Sequence, residues 1–174
     1  MRREHESAFR AAAAAHQHRL RRLAFSLSSD WHAGDDLAQT SLLKLAVAWP
    51  LRDEGAVAAW LTSTLVRSWI DETRRPWWRR ERLTDTVPDS AAPPEPSAAV
   101  AADLVRALDH LPPRQRACLV LRFLDDCSVE QTADVLRCSV GSVKTHTSRG
   151  LAAVRQRMGV DLTPSGLPGR TTSE

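Results

Sequence analysis

The sequence has no tyrosine, three cysteines and few runs of β-branched residues. Strands favour β-branched and aromatic side chains, so a sheet protein is not expected. Cys118, Cys127 and Cys138 are odd in number and contain no CxxC pair. A disulfide framework is therefore not expected, and a reducing compartment is. No apolar stretch approaches the roughly 18–20 residues of a membrane helix. The first ten residues, MRREHESAFR, are charged and lead into no apolar leader core. A soluble cytoplasmic protein is the expectation, with no membrane partner. Glycine-rich phosphate loops, HExxH and GxSxG are also missing, and histidines and carboxylates nowhere stand at catalytic spacing. No catalysis by the chain alone and no cofactor are expected.

What is present is helix-forming. The 174 residues are rich in Ala and Leu, with 24 basic and 21 acidic side chains and a net charge of +3. That is mildly basic, so the placement of charge matters more than its sum. Residues 84–100, TDTVPDSAAPPEPSAAV, contain four prolines and only acidic charges. Proline removes a helical donor and clashes with the preceding turn, so this stretch reads as an extended, solvated tether. It divides the chain into residues 1–83, the tether 84–100, residues 101–158 and a Gly/Pro/Ser/Thr-rich tail, 159–174. The fold class is all-α, two small helical domains on a flexible linker.

Three helices are expected before the tether. One runs from about Ser7 to Ser28, with Phe9, Ala13, His16, Leu20, Leu23 and Leu27 sharing a face. A second starts at Asp30 or Ala33 and ends at Trp49, before Pro50, with Leu37, Ser41, Leu45 and Ala48 inward. A third spans about Gly55 to Arg75, with Val57, Leu61, Leu65 and Trp69 inward. Four shorter helices follow the tether: Ala101–His110, Arg114–Leu124 behind Pro113, Ser128–Leu136, and Ser139 to about Met158. Ser128 and Gln131 have capping-box spacing, and Ser139 can cap the last helix.

The last two helices have helix-turn-helix spacing. Small Ala133 permits a close crossing, and Val140, Val143 and Leu151 give the final helix an inner edge. Ser142, Lys144, Thr145, His146, Ser148 and Arg149 remain for the outer face. Five basic residues and no acid lie between Leu136 and Met158. A solvated structural helix mixes charge signs, whereas phosphate binding needs one sign. A recognition helix presents its N-terminal residues to base edges in the major groove. Cys138 and His146 stand at neither i, i+3 nor i, i+4, so no metal site is expected.

The N-terminal half resembles the extracytoplasmic-function sigma factors of bacterial RNA polymerase. The run Asp35-Asp36-Leu37-Ala38-Gln39-Thr40-Ser41-Leu42 is similar to their region 2.2 signature. Ala59-Trp60-Leu61, Asp71 and Arg74-Arg75 are similar to regions 2.3–2.4, and Leu111-Pro112-Pro113-Arg114-Gln115-Arg116 to the opening of region 4. The motifs cover roughly residues 5–158 in the family's order. The resemblance implies core polymerase (β′ coiled coil and β flap) and promoter DNA as partners, and leaves an anti-sigma factor open. It places Asp35, Asp36, Leu37, Gln39, Thr40 and Leu42 against the β′ coiled coil. Asp35 and Asp36 would equally complement a helix N-terminus. It assigns Arg52, Asp53, Thr62, Ser63, Arg67, Asp71, Arg74, Arg75, Arg79 and Arg80 to the −10 element. Val66-Arg67 stand where the family often has Arg-Asn, which leaves the preferred −10 base open. Trp77 and Trp78 either stack on the opened strand beside these arginines or cap the first core. Arg114, Ser139, Val140, Gly141, Ser142, Lys144, Thr145, His146, Ser148 and Arg149 would bind the −35 element.

Ser142–His146 also resembles the recognition helix of response regulators, which bind DNA as dimers without polymerase. The Asp36–Thr40 run and the Arg-rich third helix count against that alternative.

Overall fold

The computed structural model describes residues 2–51, 54–74 and 96–159. These contain seven α-helices and no strand. The helices are α1 (Arg2–Ser28), α2 (Trp31–Ala48), α3 (Val57–Thr73), α4 (Pro96–Asp109), α5 (Pro113–Leu119), α6 (Val129–Leu136) and α7 (Val140–Met158).

Helices α1 to α3 form an antiparallel hairpin crossed by a third helix. Ser29 breaks α1 in a left-handed conformation, and Asp30 caps α2 by accepting from the His32 and Ala33 amides. A side chain at Gly34 would come within 3.1 Å of the Phe25 backbone nitrogen, so a missing Cβ brings α2 against α1. Phe25 and Trp31 stack beside this crossing with centroids 4.0 Å apart. The interior holds Leu20, Leu23, Leu27, Leu37, Leu45, Leu61, Leu65 and Trp69. The expected inner stripes are therefore inward over most of their length, with Phe9, Ala13 and His16 half-buried and Ala48 exposed.

The C-terminal half starts earlier than expected. Helix α4 begins at Pro96, inside the stretch read as tether, because proline is well suited to a first turn. Residues 84–95 lie outside the described residues. Pro113 opens α5, which runs on as a π-helical turn over Val120–Leu124. Both halves of the capping box form at Ser128 and Gln131. Arg137 takes the left-handed conformation that closes α6, and Ser139 accepts from the Ser142 amide to start α7. Gly150 lets α7 approach α5: a Cβ there would stand 3.2 Å from Leu119 Cδ1.

The two expected helical domains are present, and in this arrangement they pack on a common core. Leu61, Val66, Trp69 and Ile70 of α3 are continuous with Ala117, Cys118, Val120 and Leu121, and with Val135, Leu136 and Val143. The reason lies in α3. Besides the stripe Val57, Leu61, Leu65 and Trp69, it buries Thr62, Val66, Ile70 and Thr73. A helix apolar on two sides needs a partner on each, and α5 and α6 supply the second. A smaller cluster joins Ala107, Leu108 and Leu111 to Leu119 and Val154.

Candidate polymerase and nucleic-acid interfaces

Helix α2 turns one face to the core and one to solvent. Asp36, Gln39 and Thr40 are exposed, while Leu37 is buried and Leu42 half-buried against the core. Leu37 therefore supports the face from below rather than meeting a partner. Asp35 is held by Arg21 of α1 through two hydrogen bonds, Nε to Oδ1 at 2.6 Å and Nη2 to Oδ2 at 2.9 Å. The Arg21 guanidinium keeps its carboxyl below the usual carboxylate range. That bidentate pair ties α2 to α1, a role the sequence does not assign it. The outer face continues instead through Leu43, 68% exposed, and Val47, 89% exposed. Asp36, Thr40, Leu43 and Val47 follow at helical spacing. Sequence reading passed over the last two, although their apolar character opposite an occupied inner stripe was the available signal.

Helix α3 presents less than expected. Thr62 is buried, and its hydroxyl accepts from Arg19 Nη2 at 3.0 Å. In this arrangement that hydroxyl faces Arg19 and Asp125 rather than solvent. Ser63 is half-buried. The Arg67 guanidinium donates from Nε to the Val135 carbonyl at 2.9 Å and from Nη2 to the Asp134 carbonyl at 3.0 Å. Desolvation, with Arg137 nearby, lowers its proton affinity. Asp71 and Arg74 are exposed. Arg52, Asp53, Arg75, Arg79 and Arg80 lie outside the described residues, as do Trp77 and Trp78.

Helix α7 is the reverse. Ser139, Gly141, Lys144, Thr145, Ser148 and Arg149 are exposed, and Ser142 and His146 are half-buried. Val140 is half-buried against the core, and Arg114 is half-buried at the start of α5. Lys144, Ser148 and Arg149 lie within little more than one turn. Neither Lys144 nor Arg149 forms an ion pair with any described residue. The buried Val143, Gly150 and Val154 fix this helix from behind. The surface so built is cationic, hydroxyl-rich and convex, which suits a duplex groove. No group of three or more His, Cys, Asp or Glu among the described residues is arranged to hold a metal. No helix of the described residues is long and apolar enough to cross a membrane.

Comparison with known proteins agrees with both halves. Sigma-70 region 2 matches residues 12–79, and sigma-70 region 4 matches residues 101–154. An RNA polymerase sigma-E factor of Streptomyces antibioticus is 35% identical over 130 residues, covering 71% of this chain and 69% of the relative. This chain belongs to the extracytoplasmic-function sigma factors. A second sigma-E factor, from Streptomyces coelicolor, is 33% identical over 149 residues, covering 82% of this sigma factor and 81% of its relative. The sigma factor RpoE of Bartonella quintana, solved with the anti-sigma factor NepR, shares the fold at a TM-score of 0.66 and 22% identity. That likeness covers 88% of this chain and 98% of the other. The sigma factor directs RNA polymerase to promoters, and the region 2 match sets aside the response-regulator alternative.

Proposed function

We propose that the exposed face of α2, through Asp36, Gln39, Thr40, Leu43 and Val47, docks on the β′ coiled coil of core polymerase. Its carboxylate would pair with basic groups on that partner, and its two aliphatic side chains would supply apolar burial. Helix α7 enters the −35 major groove through Ser142, Lys144, Thr145, His146, Ser148 and Arg149. Helix α3 and the arginines after it take the opened −10 strand, where guanidiniums hold phosphates and aromatic rings offer stacking surfaces. The chain supplies positioning, and nucleotidyl transfer belongs to the polymerase. Its place of action would be the cytoplasm, with the enzyme it serves. An anti-sigma factor is a candidate partner, on the precedent of the Bartonella relative.

The observation that carries this reading is the contrast on α7. Its inner residues are fixed by packing, while Lys144 and Arg149 on its outer face form no ion pair with a described residue. Run-off transcription with core polymerase tests it. Lys144→Ala combined with Arg149→Ala is expected to abolish initiation that depends on the −35 element while leaving copurification with core polymerase intact. Loss of copurification in that variant would show that α7 serves assembly instead.

A further inference from the structure

Three of the described non-glycine residues take the left-handed backbone conformation: Ser29, Asp126 and Arg137. A Cβ crowds its own carbonyl there, so the conformation is costly except for glycine and, to a lesser degree, Asn and Asp. Two of the three have a local reason. Asp126 belongs to the tolerant class, and the Ser29 hydroxyl accepts from Arg116 Nη2 at 2.6 Å. Arg137 has neither. It closes α6 at φ 50° and ψ 54°, and its amide donates to the Ala133 and Asp134 carbonyls. Glycine is the usual residue at such a helix end, and any residue except proline supplies the amide, so the cap does not call for arginine. The side chain is exposed and forms no hydrogen bond or ion pair with a described residue. The charge it does meet is a second cation, Arg67, whose proton affinity it lowers.

A strained backbone and a guanidinium without an anion both count against folding. Local rules broken with nothing inside the chain to offset them mark functional positions. The place is also specific. Arg137 stands in the turn between α6 and α7, two residues before Ser139, whose hydroxyl accepts from the Ser142 amide at 3.1 Å to open α7. Two residues span at most about 7 Å. The guanidinium therefore emerges beside the tip of α7, along the edge that a sugar-phosphate strand follows when the tip enters a groove. Residues 135–149 contain no Asp or Glu to compete for it.

We propose that Arg137 clamps a backbone phosphate of the −35 duplex, outside the set of contacts on the outer face of α7, and that the left-handed turn is kept for that contact. The inference rests on the assignment of α7 to the −35 groove. It adds a residue that positions the helix without reading a base. A planar guanidinium can hold two phosphate oxygens at once, which fixes register as well as distance. Folding is served better by glycine at this position, and binding by arginine. Stability and DNA affinity therefore move in opposite directions when residue 137 is changed.

The test is Arg137→Gly in the full chain, read in two ways. Thermal unfolding of the free protein should show the variant melting about 2–4 °C higher, because glycine adopts the turn without strain. Holoenzyme reconstituted with core polymerase should bind a promoter duplex at least about 3.5-fold more weakly at 50 mM salt. That deficit should shrink by the same factor at 200 mM, since one phosphate contact contributes about 0.9 to the salt slope. The loss should be equal on duplexes with altered −35 bases. Arg137→Lys should keep the slope without the higher melting temperature, and Arg137→Asn, which tolerates the turn and carries no charge, should follow glycine. Normal binding at every salt by the glycine and asparagine variants overturns the clamp, as does a loss confined to one −35 sequence. A melting temperature that rises in neither overturns the strain. Lys144→Ala with Arg149→Ala is measured beside them. If that pair alone binds weakly, the clamp fails and the assignment of α7 stands; if the pair also binds normally, the assignment itself fails.

Discussion

Helices α3 and α7 are both assigned to DNA, yet they spend their surfaces in opposite ways. Of its 17 residues α3 buries eight, on two sides; α7 buries only three of 19. A helix with one narrow inner edge leaves most of its circumference available for a ligand. A helix that walls two layers commits its polar side chains too, as Thr62 and Arg67 show. Exposure of a reading surface is therefore decided by how many partners the helix must satisfy, not by its own charge.

The most severe way to break this contrast is Trp69→Ala. Removing a fully buried aromatic costs about 3–5 kcal/mol. Because Trp69 is fully buried in the shared core and lies under the Arg116 side chain, hydrogen-exchange protection should fall in α5 and α6 as well as in α1–α3. Protection lost only from the N-terminal half would mean that the shared core is not cooperative. The exposed side of the comparison is sharpened by Lys144→Ala with Arg149→Ala. These exposed changes should leave stability within about 0.5 kcal/mol. They should lower the slope of log affinity against log salt by about two for −35 duplex, since each phosphate contact contributes about one. A smaller effect belongs to Ser128→Ala, which removes one arm of the capping box. Thermal unfolding should register a loss of about 1 kcal/mol, with α6 fraying first.

The mildest test is chemical. Burial pushes the Cys118 and Cys127 thiols up to about 11. At pH 8 both should be alkylated by iodoacetamide far more slowly in the folded chain than in urea, read as mass shifts. The sign of the linkage follows. Below about pH 9 thiols are neutral in folded and unfolded chains alike. Between about 9 and 11 only the unfolded thiols ionise, so stability should decline as pH rises through that window.

Much of this was legible in advance. Period and capping residues located the helices, because burial of one stripe and satisfaction of terminal amides are local problems. The exposure of Lys144, Thr145, Ser148 and Arg149 on α7 was legible for the same reason: Val143 facing in forces Lys144 out. Less could be read where a residue answers to something distant in sequence. Asp35 looks like a docking acid until Arg21, fourteen positions earlier, is seen to claim it. Thr62, Val66, Ile70 and Thr73 form a second stripe that is too polar at its ends to announce itself. Leu43 and Val47 are ordinary aliphatics in an aliphatic helix, and their one signal is a place opposite an inner stripe already filled by Leu37, Ser41 and Leu45.

Position 150 shows how little material can decide an orientation. Its single hydrogen is what lets α7 settle on Leu119. Any heavier substituent must displace Leu119 or lift the helix, and α7 is a lever: Lys144 and Thr145 lie about 8–9 Å along its axis at ~1.5 Å per residue. A small lift at the fulcrum becomes a changed angle of entry for the tip. The angle at which α7 stands off the body of this protein is thus set partly by an atom group it does without.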